Sequence, residues 1–154
     1  MTSIIGKLAP IFTAPSTSGL VSLEKCRGNA VVLYFYPKDN TPGCTTESQD
    51  FRDLYAEFQA MGCKVFGVSR DSMKSHEGFT QKCGLPFPLI VDADETVCNL
   101  YGVIKQKNMY GKQVRGIERS TFLIDAHGLL VQEWRGVKVP NHAQEVLQAA
   151  RSLG

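Results

Sequence analysis

A chain of 154 residues, 43% of them hydrophobic, can bury about two-thirds of the surface its unfolded form exposes, so one domain with a packed core needs no disulfide staples. Seventeen basic residues stand against fifteen acidic ones, dispersed without a run of like charge. That balance excludes the electrostatic footprint of a nucleic-acid or anionic-membrane binder and leaves a small-molecule substrate or a protein partner.

The N-terminus "MTSIIGKLAPIF" has no basic stretch followed by a long apolar run, and no segment approaches the length of a membrane span. A cytoplasmic protein is expected. Five cysteines, Cys26, Cys44, Cys63, Cys83 and Cys98, are an odd number and form neither a C-x-x-C pair nor a zinc-like spacing, which fits free thiols in a reducing compartment.

After a loop-like start and the turn signal that ends "VSLEKCRGN", the run "AVVLYFY" (Ala30 to Tyr36) is β-branched and aromatic throughout and reads as a buried central strand. From Thr45 onward Phe51, Leu54, Tyr55 and Phe58 recur at helical spacing, and "CKVFGVS" is again strand-like. Strand, helix, strand makes a βαβ unit with a parallel sheet.

"DSMKSHEGFTQKCG" predicts a second helix, with Asp71 or Ser72 as N-cap, with Met73, His76, Phe79 and Cys83 on one face, and with Gly84 just past its end. A short strand at "PLIV" and a short helix capped near Asp92 or Asp94 follow. "ERSTFLID" and "LLVQEWRGV", joined by "AHG", read as an antiparallel hairpin, and "NHAQEVLQAARSL" as a last helix with Asn141 as N-cap. The order βαβαβα, then ββα, suits a single thioredoxin-like α/β domain over residues 1–154, with helices on both faces of a central mixed sheet.

The stretch "YFYPKDNTPGCTTE" places Cys44 where a strand end, a rigid turn and a helix start meet. Helix N-termini carry unpaired N–H groups and a partial positive charge, which favour a thiolate. Pro37 and Pro42 fix the turn, Gly43 permits close approach of a ligand, and Thr41 can present its hydroxyl beside the sulfur. A lone cysteine is ordinarily a small buried hydrophobe, but carboxyl ends of strands in α/β sheets are where ligands bind.

The segment from Pro37 to Cys44 matches the pattern P-x-x-x-(T/S)-x-x-C, and together with "IKQKNMYGKQVRGIERSTFLID" it resembles the bacterioferritin comigratory protein group, the Q-type peroxiredoxins. The resemblance implies a peroxiredoxin fold and a thiol peroxidase without metal or organic cofactor. In it Cys44 attacks a hydroperoxide and becomes a sulfenic acid, while Thr41 and the N–H groups of Gly43 and Cys44 hold the peroxide. It also implies that Arg119 supplies a cation at the sulfur; Glu47 either orients that arginine or only complements the helix dipole. Thioredoxin or a glutaredoxin-type protein would return electrons to what is often a monomeric enzyme.

Many members of that group carry a second cysteine five residues after the first, where this chain has Gln49, or in the next helix at a position that aligns with Thr80. Cys83, one turn beyond Thr80, is a possible resolving thiol or a packed side chain. Cys26, Cys63 and Cys98 read as structural, and His76, His127 and His142 as isolated. Among rivals, a thiol–disulfide oxidoreductase would want a cysteine where Glu47 stands, and a cysteine phosphatase an arginine where Asp50 stands. A non-enzymatic redox sensor or chaperone-like module using Cys44 as a switch is the alternative from another class.

Overall fold

A computed structural model describes residues 5–153. Among these residues, nine strands and four α-helices follow in chain order: β1 (Thr13–Ser16), β2 (Gly19–Ser22), β3 (Ala30–Phe35), α1 (Pro42–Ala60), β4 (Cys63–Ser69), α2 (Met73–Cys83), β5 (Leu89–Val91), α3 (Thr96–Tyr101), β6 (Ile104–Met109), β7 (Lys112–Ile117), β8 (Ser120–Ile124), β9 (Leu130–Arg135) and α4 (His142–Arg151). Seven strands form one sheet in the order β2-β1-β5-β4-β3-β8-β9, and β6 with β7 makes a separate hairpin. β3 runs parallel to β4, and β4 to β5, while β8 lies antiparallel to both β3 and β9. The sheet is mixed, as expected.

The β3 run is apolar on every residue because both its faces are covered. Successive side chains point to opposite faces. Val31, Leu33 and Phe35 join one core cluster with Val97, Cys98 and Tyr101 of α3, whereas Val32 and Tyr34 join the other with Phe51 and Phe58 of α1, Phe79 of α2 and Val146 and Leu147 of α4. Phe51 and Phe58, two helical turns apart, are both fully buried, each worth about 1.5–3 kcal/mol of transfer free energy.

Helix ends follow local chemistry. Ser72, the cap expected as Asp71 or Ser72, accepts the Ser75 N–H at 3.2 Å, and Gly84 closes α2 in the left-handed conformation. At α3 the cap residue is Glu95, not Asp92 or Asp94, but both aspartates still serve the helix end. Asp92 accepts the N–H groups of Val97 and Cys98, and Asp94 that of Thr96. Asn141 precedes α4 as expected, though with φ 69° and no side-chain capping bond.

Close packing of β3 against β4 leaves no room at Gly67, where an added Cβ would come within 2.8 Å of the Tyr34 ring and hydroxyl and 2.7 Å of Leu89. Gly67→Ala is therefore expected to destabilise the protein by about 1–3 kcal/mol, measured as a fall in the urea midpoint with an unchanged slope.

Candidate active site

The antiparallel pairing of β3 with β8 sets Phe35 opposite Ser120. The chain leaving the top of β3 thus passes the residue entering β8, which is Arg119, whose carbonyl also accepts the Val137 N–H. α1 begins at Pro42, three residues earlier than the apolar spacing predicts, because proline fits the first helical position, where its missing N–H costs nothing. Thr41 is the cap residue and Cys44 the third residue of the helix, so the N–H groups of Gly43 and Cys44 have no acceptor within the helix.

Three side chains meet there. Arg119 Nη2 lies 3.4 Å from Cys44 Sγ, and Arg119 Nη1 donates to Glu47 Oε1 at 2.7 Å. Glu47 sits one turn below Cys44, on the same face of α1. Of the two roles open to it in the sequence, contact with the arginine is the one the structure displays. Gly43 fits this corner because a Cβ would stand 3.1 Å from Arg119 Nη2. Pro37 follows directly on Tyr36, whose N–H is bonded to Val68, and the Thr41 hydroxyl donates to the Lys38 carbonyl at 2.8 Å, closing the turn rather than bonding the sulfur.

The electrostatics are those of a buried charge cluster. Cys44 is 1% exposed and Glu47 1%. Burial pushes the Glu47 carboxyl up to about 7 against the opposing pull of Arg119. Burial also works against the Arg119 charge, but Glu47 and then Cys44 outweigh it and hold the guanidinium above its ordinary value. Glu47 Oε2 is buried with no hydrogen-bond partner among the described residues.

The other four cysteines are free and buried. Burial raises the thiol pKa of each, that of Cys63 to about 12. Cys83 is the last residue of α2, and its carbonyl accepts from Arg52 Nη1 at 2.6 Å. Thr80, which the family resemblance aligns with the resolving position of other members, has a buried hydroxyl with no hydrogen-bond partner among the described residues.

Two histidines that look isolated in the sequence are engaged. His142 Nε2 bonds the Thr121 hydroxyl at 2.8 Å, and its ring meets Phe51 and Trp134 edge to face. Burial first, and then the Arg119 charge, lower its pKa to about 4. His76 lies with Asp39 and Asp71 in a cluster whose ligand-type atoms are within 4.8 Å of one another. Each of the three already has hydrogen-bond partners in the protein, which fits a polar knot better than a cation site. Neither set of contacts was legible in the sequence, since the partners come from elements distant in sequence.

The His142 shift carries a stability consequence. A histidine whose folded pKa lies below its unfolded value stabilises the fold fully above the unfolded pKa, near 6.5, and less as pH falls toward 4. The stability gap between wild type and His142→Gln should therefore shrink by about 3 kcal/mol from pH 7.5 to pH 4, measured by denaturant titration at each pH. Taking the difference removes the opposite trend from Glu47, whose raised pKa costs stability as pH rises from about 4.5 to 7.

Residues 5–133 match the model of the AhpC/TSA family. The chain belongs to the peroxiredoxins. Among similar proteins, the peroxiredoxin Bcp of Xanthomonas campestris is 58% identical over 131 residues, 85% of this chain and 82% of the relative, and that of Bacillus subtilis is 46% identical over 154 residues, 99% and 98%. The solved structure of the Xanthomonas campestris bacterioferritin comigratory protein, studied for alkyl peroxide reduction, superposes with a TM-score of 0.88 at 52% identity, covering 92% of this chain and 90% of that one. A Xylella fastidiosa PrxQ mutant gives 0.90 at 42%, covering 98% of each. This peroxiredoxin is of the Q type, with the thioredoxin-like fold expected from its sequence, and it is a peroxidase that takes a peroxide and a thiol reductant. No helix among the described residues is long and apolar enough to cross a membrane.

Proposed function

We propose that Cys44 is the peroxidatic residue and that Arg119, Thr41, Pro37 and Gly43 build its peroxide site. The observation that carries this reading is the Arg119 fork, one nitrogen 3.4 Å from the Cys44 sulfur and the other on Glu47. The thiolate attacks the terminal oxygen of ROOH. The S–O bond forms as the O–O bond breaks, sulfur loses two electrons and the peroxide gains them, and RO⁻ takes a proton to leave as ROH or water. The guanidinium and the free N–H groups of Gly43 and Cys44 stand where negative charge builds on the leaving oxygen, and the preset turn through Pro37 and Thr41 positions them before the substrate arrives.

The sulfenic acid then condenses with a thiol, releasing water and leaving a disulfide that a second thiol reduces. Thioredoxin or a glutaredoxin-type protein is the proposed donor, acting on a single-domain, monomeric, cytoplasmic enzyme. Cys83 is the internal thiol proposed to intervene. It approaches α1 beside Arg52, about two turns or ~12 Å of helix rise from Cys44. Pairing therefore needs the first turns of α1 to unwind.

Intact mass after one equivalent of hydrogen peroxide, without reductant, tests this reading. Loss of two hydrogens in the wild type, replaced by one added oxygen in Cys83→Ser, supports the internal pair. One added oxygen on Cys44 in both proteins removes Cys83 from the cycle and leaves an external thiol as the only resolving group.

A further inference from the structure

Asp39 sits in the turn between β3 and α1, two residues before Thr41, and its side chain is 1% exposed. Tyr36 donates its hydroxyl to Asp39 Oδ1 at 2.6 Å, and Ser75 donates to Oδ2 at 2.8 Å. The Asp39 N–H donates to Asp71 Oδ2 at 2.9 Å. His76, fully buried in α2, faces Asp39 Oδ2 with Nδ1 at 2.7 Å and the Ile90 carbonyl of β5 with Nε2 at 2.9 Å.

These contacts fix the hydrogens. A carbonyl oxygen can only accept, so Nε2 carries one. Oδ2 faces Nδ1 across 2.7 Å, a distance that requires a hydrogen between them. Imidazole and carboxylate therefore act as one hydrogen-bonded unit sealed from water, joining the Cys44 turn to α2 and β5. Asn40, next along, has a left-handed φ of 65° that sends the chain from the anchored Asp39 into the extended Thr41 cap.

We propose that Asp39 and His76 are positioning residues for peroxide reduction: their buried pair holds the 37–41 turn closed, so that Thr41 and the first turn of α1 stand in the arrangement that reacts with peroxide. The inference rests on the assignment of Cys44 as the peroxidatic residue. The pair touches no reacting atom. It acts through the turn, and it opposes the opening of α1 that exposes Cys44, a residue only 1% exposed in the closed form. Loosening it should slow the step that needs the closed site and speed a step that needs the open one.

The test measures two rates at Cys44 in wild type, His76→Gln and Asp39→Asn: oxidation by hydrogen peroxide, followed by stopped flow, and alkylation by iodoacetamide, followed by mass. The expected result is oxidation slower by about 10- to 100-fold, the scale of a displacement near 1 Å, with alkylation faster by about fivefold or more. Ser75→Ala, which removes one donor to Asp39 at the partly exposed side of the knot, should show the same split at smaller amplitude, and it decides the matter should the other variants fail to fold. Both rates unchanged, or both slowed together, overturns the proposal. A wild type whose Cys44 does not react with peroxide overturns instead the assignment of Cys44, a distinct result from the same experiment.

Discussion

Replacing Cys44 with serine is expected to abolish peroxide reduction while the fold survives. A hydroxyl is a far weaker acid than a thiol, and its oxygen cannot carry the extra oxygen of a sulfenic acid, so both the nucleophile and the intermediate vanish. The loss should be on the order of 10⁶-fold, the scale of removing a covalent nucleophile, which in practice means no turnover above background. The exchange is close to isosteric, and Arg119 Nη2, 3.4 Å from the sulfur, can donate to the new oxygen. Catalytic peroxide consumption with thioredoxin and its reductase, alongside a melting curve, checks both halves. Full turnover would remove Cys44 from the mechanism.

Arg119→Ala carries the second largest expected effect, a fall of about 10²–10³-fold in the rate of Cys44 with peroxide, as for loss of one preorganised donor to a developing anion. The fork spans the sulfur and Glu47 Oε1 at the same time. A lysine ammonium has no such planar geometry, so Arg119→Lys should recover only a small part of the rate. The fold should tolerate the loss. Arg119 is the influence that lowers the Glu47 pKa against burial, so its loss pushes the carboxyl further toward the neutral form and leaves less uncompensated charge buried. Stopped-flow oxidation at fixed pH gives the rate, and a Lys variant as fast as wild type would contradict the bridging role.

The central elements were legible because each states its burial in residue type. A continuous apolar run marks β3, with both faces covered, and the spacing of Phe51 and Phe58 marks the inner stripe of α1. Two hairpins were not. β1 and β2 are four residues each; β1 contains Pro15 and buries only alternate positions, and β2 buries only Val21, so their "TAPS" and "GLVS" resemble loop. In the β6–β7 hairpin, residues 112–115 are exposed, which removes the hydrophobic alternation that would signal a strand. Its turn, Tyr110 and Gly111 with φ of 53° and 77°, lacks the Asn-Gly or Asp-Gly pair that usually announces one.

The candidate site was legible in the same uneven way. Cys44 and its turn are contiguous, and Arg119 came through resemblance to a family. The Glu47 contact with Arg119 was one of two roles open in the sequence, whereas the Asp39–His76 pair and His142 depend on elements brought together only by the sheet, as with His76 and Asp39, 37 positions apart. Nothing local in the sequence distinguishes such a histidine from an ordinary one.

The most direct test is to trap sulfenic acid with dimedone within the first second after one equivalent of hydrogen peroxide, and to locate the label by peptide mass. Label on Cys44 alone is the predicted result, because it is the thiol that meets a guanidinium at a helix start, whereas burial holds the other four protonated. Label spread over Cys26, Cys63, Cys83 and Cys98, or Cys44 left unlabelled while another thiol reacts, would contradict it.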